Sequence, residues 1–142
     1  MKNIISFKMA ANSALTVYGL FFLFHLLIIL GILFFNFVPV KYLWGGQMET
    51  KEQLLVFEII SLLIQSLCIF LTLIKSKYIN LPKLMSIADI GMWVLFILFL
   101  INTVGNMFAK TLFEKLAFTP VTALLSFFSL RLALEKDSKN ND

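Results

Sequence analysis

Apolar residues run through this chain in four long blocks separated by short polar breaks, and each block is long enough to cross a bilayer as a helix. Residues 9–40 carry no charge unless His25 is protonated, and Ala14–Phe35 as a helix would extend about 33 Å against a hydrocarbon core of about 30 Å. No small-x-small cleavage site precedes Pro39, so this block is expected to be a retained membrane helix. The second block opens on Thr50-x-x-Gln53, a capping-box spacing, and runs to Ile74 before Lys75 and Lys77. The third follows Asn80-Leu81-Pro82, a helix-start signal, and the fourth follows the capping-box spacing Thr111-x-x-Glu114, with a kink expected at Pro120. A start of the fourth block at Thr119-Pro120 instead would leave it short for a bilayer. The predicted spans are 14–36, 51–74, 83–106 and 112–134, followed by a charged, disordered tail over 135–142. The expected fold is all-α, a single polytopic membrane domain over 1–142 built as an antiparallel four-transmembrane-helix bundle.

Polar and small residues recur within the blocks at steps of three and four. The second block holds Glu58, Ser61, Gln65, Cys68 and Thr72, and the fourth holds Thr119, Thr122, Ser126, Ser129 and Ala133. In the third the seam is Ala88, Gly91, Leu95, Leu98, Asn102, Gly105 and Ala109, while the first has a looser face of Tyr18, His25 and Asn36. Such seams let membrane helices approach closely and hydrogen-bond across the contact, so these faces are predicted to point inward and the Phe, Leu and Ile faces toward lipid.

Composition agrees with a lipid environment. Of 142 residues 60% are hydrophobic and 14% charged, with 16 Phe and a mean hydropathy of +0.92, which excludes an ordinary soluble domain. One Cys excludes an internal disulfide, a dithiol redox pair and a multi-cysteine zinc site, so no metal or cofactor is expected. The net charge of +4 does not signal nucleic acid, because the basic residues lie between apolar runs rather than in one patch. They sort by side. Lys2, Lys8, Lys75, Lys77, Lys83, Arg131, Lys136 and Lys139 fall on one face, against Lys41, Lys51, Lys110 and Lys115 on the other, so both termini are expected in the cytoplasm of a bacterial inner membrane. Tyr42 and Trp44 would then lie at the outer interface and Tyr78 at the inner one.

An intramembrane carboxylate costs about 2.5–3.5 kcal/mol on insertion scales and so faces the bundle interior, which singles out Glu58. Rise per residue places Glu58 in the outer third of the bilayer with Asn102, Asn106, Thr122 and Asn36, above a mid-membrane layer of His25 and Gln65. The expected contact for Glu58 is Asn102 or Asn106, directly or through one water. Two roles compete for Glu58: a proton, ion or substrate site, or a structural carboxyl that holds helix register. Asp89 is expected to cap a helix start in Ser86-x-x-Asp89, Cys68 to be a packing residue, and Gly45-Gly46 to form an outer-loop turn. His25 has no His or Cys at metal-binding spacing and is expected to be an interior histidine.

The segments Tyr42-Leu43-Trp44-Gly45-Gly46, Leu55-Val56-Phe57-Glu58, Asn102-Thr103-Val104-Gly105-Asn106 and Arg131-Leu132-Ala133-Leu134 resemble those of a group of small, uncharacterised four-helix bacterial membrane proteins. The resemblance spans most of the chain and implies a membrane fold without specifying a chemistry. Small multidrug exporters are of similar size, but their acid lies in the first helix, where this chain has His25. The leading expectation is a non-enzymatic protein whose partner is the lipid bilayer, either a small carrier acting as a homo-oligomer or an accessory subunit of a larger membrane complex. The alternative is a membrane-embedded enzyme or lipophilic-ligand-binding protein using Glu58 as acid/base.

Overall fold

A computed structural model describes residues 4–40, 43–44, 47–109 and 112–135. Four helices carry the fold: α1 (Phe7–Phe35), α2 (Lys51–Lys75), α3 (Met85–Met107) and α4 (Leu112–Ala133), with a short 3₁₀ turn at Pro82–Leu84 before α3. All four are long and apolar enough to cross a membrane, so the chain is a multi-pass, all-α membrane protein. Short connections alternate the helix directions, and the helices pack in a ring, α1 on α2, α2 on α3, α3 on α4 and α4 on α1. The hairpins α1–α2 and α3–α4 are packed more extensively within themselves than against each other.

Local chemistry sets the ends. Helix α1 starts at Phe7, earlier than the predicted residue 14, because the Ser6 hydroxyl accepts from Met9 N at 3.1 Å. It stops at Asn36, a left-handed cap with φ 50°. Thr50 caps α2 as its spacing predicts, its hydroxyl accepting from Gln53 N at 3.2 Å. Helix α4 continues from Leu112 through Pro120, which favours the longer of the two predicted starts. The Thr111 capping site, Lys2, Lys41, Tyr42, Gly45-Gly46, Lys110 and the tail over 136–142 lie outside the described residues, and Glu114 is described only as part of the α4 backbone.

The half of the bundle nearest the chain termini is solidly packed. Ala10, Ala11 and Ala14 of α1, Cys68, Leu71 and Ile74 of α2, Ala88, Met92 and Leu95 of α3, and Leu125 and Leu132 of α4 form one core. Three small residues in sequence on α1 let its backbone approach its neighbours, as membrane helices require when hydrophobic segregation from lipid is unavailable. Gly91 does the same for α3, since a Cβ there would lie 2.8 Å from Leu71 Cδ1. Tyr18 crosses this core, with its hydroxyl 3.3 Å from Ser129 Oγ and its ring stacked on Phe99 at 5.7 Å.

Charges close the end of the bundle that carries the chain termini. Lys75, only 4% exposed, donates to Asp89 Oδ1 at 2.5 Å and to the Glu135 carbonyl at 2.6 Å. Arg131, also 4% exposed, donates to the Ile5 carbonyl at 3.1 Å and to Glu135 Oε2 at 2.9 Å, and its guanidinium lies over the Phe7 ring. Asp89 is therefore an ion-pair partner. The predicted capping role is corrected, because α3 already begins at Met85 with no side-chain cap and Asp89 sits a turn inside it, beside α2.

The predicted seams of α2 and α4 do face inward: Glu58, Gln65, Cys68 and Thr72 are buried on one, Thr122, Ser126 and Ser129 on the other. Ser126 reaches across to the Phe96 carbonyl of α3 at 3.2 Å. On α3 the expected seam holds only in its N-terminal part. Ala88 and Leu95 are buried, whereas Asn102 and Gly105 are exposed and Phe99, Thr103 and Asn106 turn toward the interior instead. A strict 3.5-residue pattern drifts about 20° per heptad on an α-helix, enough over this length to move the seam off the contact face.

Candidate functional site

In the half of the bundle away from the chain termini the packing changes character. A second, smaller core of Ile28, Ile32, Leu43 and Leu54 joins α1, α2 and their connecting loop, without a residue from α3 or α4. Beside this cluster, between the two hairpins, lies a cavity of about 360 Å³. Its walls come from all four helices and the first loop. Ile64 of α2 and Asn102 of α3 both line it and are exposed on the bundle surface, so it opens between these two helices. Phe99, stacked on Tyr18, forms its floor.

Glu58 sits in the wall of this cavity and is 1% exposed. Its Oε2 is 2.6 Å from His25 Nδ1 on α1, and its Oε1 accepts from Trp44 Nε1 at 3.0 Å. A nitrogen and a carboxyl oxygen at that separation hold a proton between them, so His25 and Glu58 form one proton-bearing unit. Trp44 is fixed by this bond and by an edge-on contact with Phe57 at 5.1 Å. Its backbone has φ 55°, a conformation rare for a bulky side chain. The strained turn swings the indole inward, away from the interfacial anchoring expected for it.

Among the described residues the groups bonded directly to Glu58 are His25 and Trp44, in place of the direct contact expected with Asn102 or Asn106. Depth along each span can be counted from sequence, but which neighbour a side chain meets depends on the rotation of two helices, and α1 is the hairpin partner of α2. Both asparagines still line the same cavity. The amide of Asn106 donates to Thr122 Oγ1 at 3.5 Å, and the Thr103 and Thr122 hydroxyls are 3.0 Å apart, tying α3 to α4 at the cavity wall.

The two predicted tiers merge. His25, assigned to a mid-membrane layer, is bonded to Glu58 of the outer cluster, and Gln65 lines the cavity with Glu58 rather than lying beneath a separate site. Asn36 does not line the cavity. It ends α1, and its side-chain oxygen accepts from Lys51 Nζ at 3.4 Å. Trp44 is the site residue that sequence reasoning missed. The available signal was an aromatic N–H donor in a tight loop 14 residues before the acid two turns inside the second span.

Aromatic rings make up much of the remaining wall. Phe21 and Phe24 of α1 meet Phe118 of α4 at 5.9 and 6.3 Å, and Phe24 also stands edge-on to His25 at 5.5 Å. Among the described residues no three His, Cys, Asp or Glu side chains come together as metal ligands. The arrangement can hold an apolar group among the rings, offer polar contacts at one wall, and keep a proton at the His25–Glu58 unit. Comparison with family models, with curated proteins and with solved structures gives no match for this chain.

Proposed function

We propose that this chain binds a small lipophilic molecule in the outer half of the bacterial cytoplasmic membrane, with the His25–Glu58 unit as the polar anchor of the site. The observation that carries this reading is the cavity itself: about 360 Å³, largely apolar, open between α2 and α3, and closed toward the inner face. Ligand sites typically measure about 300–1,000 Å³, with apolar walls and a few convergent polar groups. The lateral opening would admit molecules dissolved in the bilayer. The basic asymmetry supports cytoplasmic termini, which places the cavity in the outer leaflet.

Trp44 lines the cavity and reports on it directly. In a Trp93→Phe background Trp44 is the sole tryptophan, and a brominated eight-carbon alcohol should quench it saturably in detergent-solubilised protein. Ser61→Phe, which fills the cavity from α2, should convert saturable quenching to the linear response of bulk partition. Linear quenching in both proteins removes the binding function.

The second reading is a proton-linked carrier acting as a homo-oligomer, and it is favoured by one observation, the proton held between two titratable groups at the cavity wall. It requires the inner clasp of Lys75, Asp89, Arg131 and Glu135 to open. Proteoliposomes containing a pH-sensitive dye would separate the two: a carrier acidifies the lumen when substrate is added and loses that response in Glu58→Gln, while a binding protein gives none.

A further inference from the structure

Gln65 is a buried polar side chain without a complete set of partners. It is 8% exposed, lines the cavity one seam position below Ser61, and its Oε1 has no hydrogen-bond partner among the described residues. Native structures leave few buried acceptors unsatisfied, and such a group beside a cavity offers an acceptor position to a donor entering the cavity. Glu58 has acceptor capacity of the same kind. A carboxylate offers about four acceptor positions, and His25 and Trp44 occupy two.

We infer that the lipophilic molecule held in this cavity is an amine, bound as an ammonium whose N–H groups reach Glu58 and Gln65 while its apolar body lies among Phe21, Phe24 and Phe118. This assignment rests on the ligand-binding reading above and adds the charge of the ligand to it. Three features of the wall select a cation. Glu58 supplies a carboxyl, Gln65 supplies an unused acceptor, and the aromatic rings carry negative charge on their faces, which attracts ammonium groups more strongly when water is excluded. The described lining residues include no Lys or Arg, so a carboxylate or phosphate headgroup would meet Glu58 with His25 as its single cationic counterpart. A neutral alcohol could fill the same space but would gain neither the charge-assisted bond nor the ring attraction.

The test uses full-length protein in a neutral maltoside detergent, the Trp93→Phe background, and three probes of matched length: octylammonium, octanol and octanoate. Trp44 emission reports binding, and Ser61→Phe supplies the partition baseline for each probe. Octylammonium should bind roughly tenfold tighter than octanol or more, with octanoate weakest. Glu58→Gln should bring octylammonium to the level of octanol measured in the same variant. Gln65→Leu should weaken octylammonium by about threefold without loss of fold, since it deletes an unpaired acceptor, and it keeps the test decisive if Glu58→Gln does not fold. Equal binding of all three probes, or a preference for octanoate, overturns the amine assignment and leaves a lipophilic-ligand site standing. Failure of every probe to bind above the Ser61→Phe baseline overturns both.

Discussion

Replacing Glu58 by leucine removes an acceptor on which donors from α1 and the first loop converge, and it leaves His25 Nδ1 and Trp44 Nε1 facing a methyl group. In a water-soluble core two orphaned donors would cost about 1–3 kcal/mol each. The appropriate scale here is smaller, because the unfolded reference is a set of helices already in lipid, and hydrogen bonds inside membrane proteins average about 0.6 and reach about 1.7 kcal/mol. Two such bonds give a loss of roughly 1–3 kcal/mol for Glu58→Leu. Glutamine should behave differently. Its carbonyl can accept from Trp44 and its amide can donate to His25 once the imidazole carries its proton on Nε2, so both bonds survive and the cost stays within about 1 kcal/mol. SDS-induced unfolding from mixed micelles, followed by circular dichroism, measures both variants on one scale. Equal stabilities for Glu58→Leu and Glu58→Gln, or a Glu58→Leu protein as stable as the parent, would refute the hydrogen-bonded junction seen at Glu58. A double-mutant cycle with Trp44→Phe isolates the loop contact, which should contribute about 0.5–1.5 kcal/mol of coupling.

Orientation is testable by labelling. In a Cys68→Ala background, a cysteine at Gln47 should react with a membrane-impermeant maleimide in intact cells, and one at Ile79 should be protected. The opposite pattern inverts the topology. Ser126→Leu replaces a hydroxyl by three carbons where Ser126 bonds the Phe96 carbonyl across α3 and α4, so it should lower the SDS midpoint more than Phe127→Leu, by about 1–3 kcal/mol against about 0.5. Equal midpoints would contradict the interior placement of that face. Arg131→Lys should loosen the inner clasp despite keeping its charge. Arg131 bonds the Ile5 carbonyl through Nε and Glu135 through Nη1, and a lysine carries all its donors on one nitrogen without that planar fork, so proteolysis near residues 4–8 should accelerate several-fold. An unchanged cleavage rate would show that Arg131 does not hold the N-terminal segment.

Residue pattern alone determined that this chain lives in lipid and crosses it four times. Blocks such as Ala14–Phe35 admit no other economical solvent, because backbone and apolar side chains are both satisfied only by a spanning helix. It also determined the buried faces of α2 and α4, since a lipid-facing Gln65 or Ser129 would be penalised at any helix rotation that the neighbours allow. The identity of the groups around Glu58 was decided only in three dimensions. Depth counting placed Glu58, Asn102 and Asn106 at similar levels, but level does not specify azimuth, and the close α1–α2 hairpin brought His25 to the carboxyl first. The seam of α3 drifted off the contact face because its pattern period and the helical period differ by a small angle that accumulates along the helix. Trp44 entered the site through a loop turn at φ 55° that no hydrophobic periodicity encodes. The cavity is lined by all four helices and the first loop, a property of how they pack together, and no single span's sequence carries it.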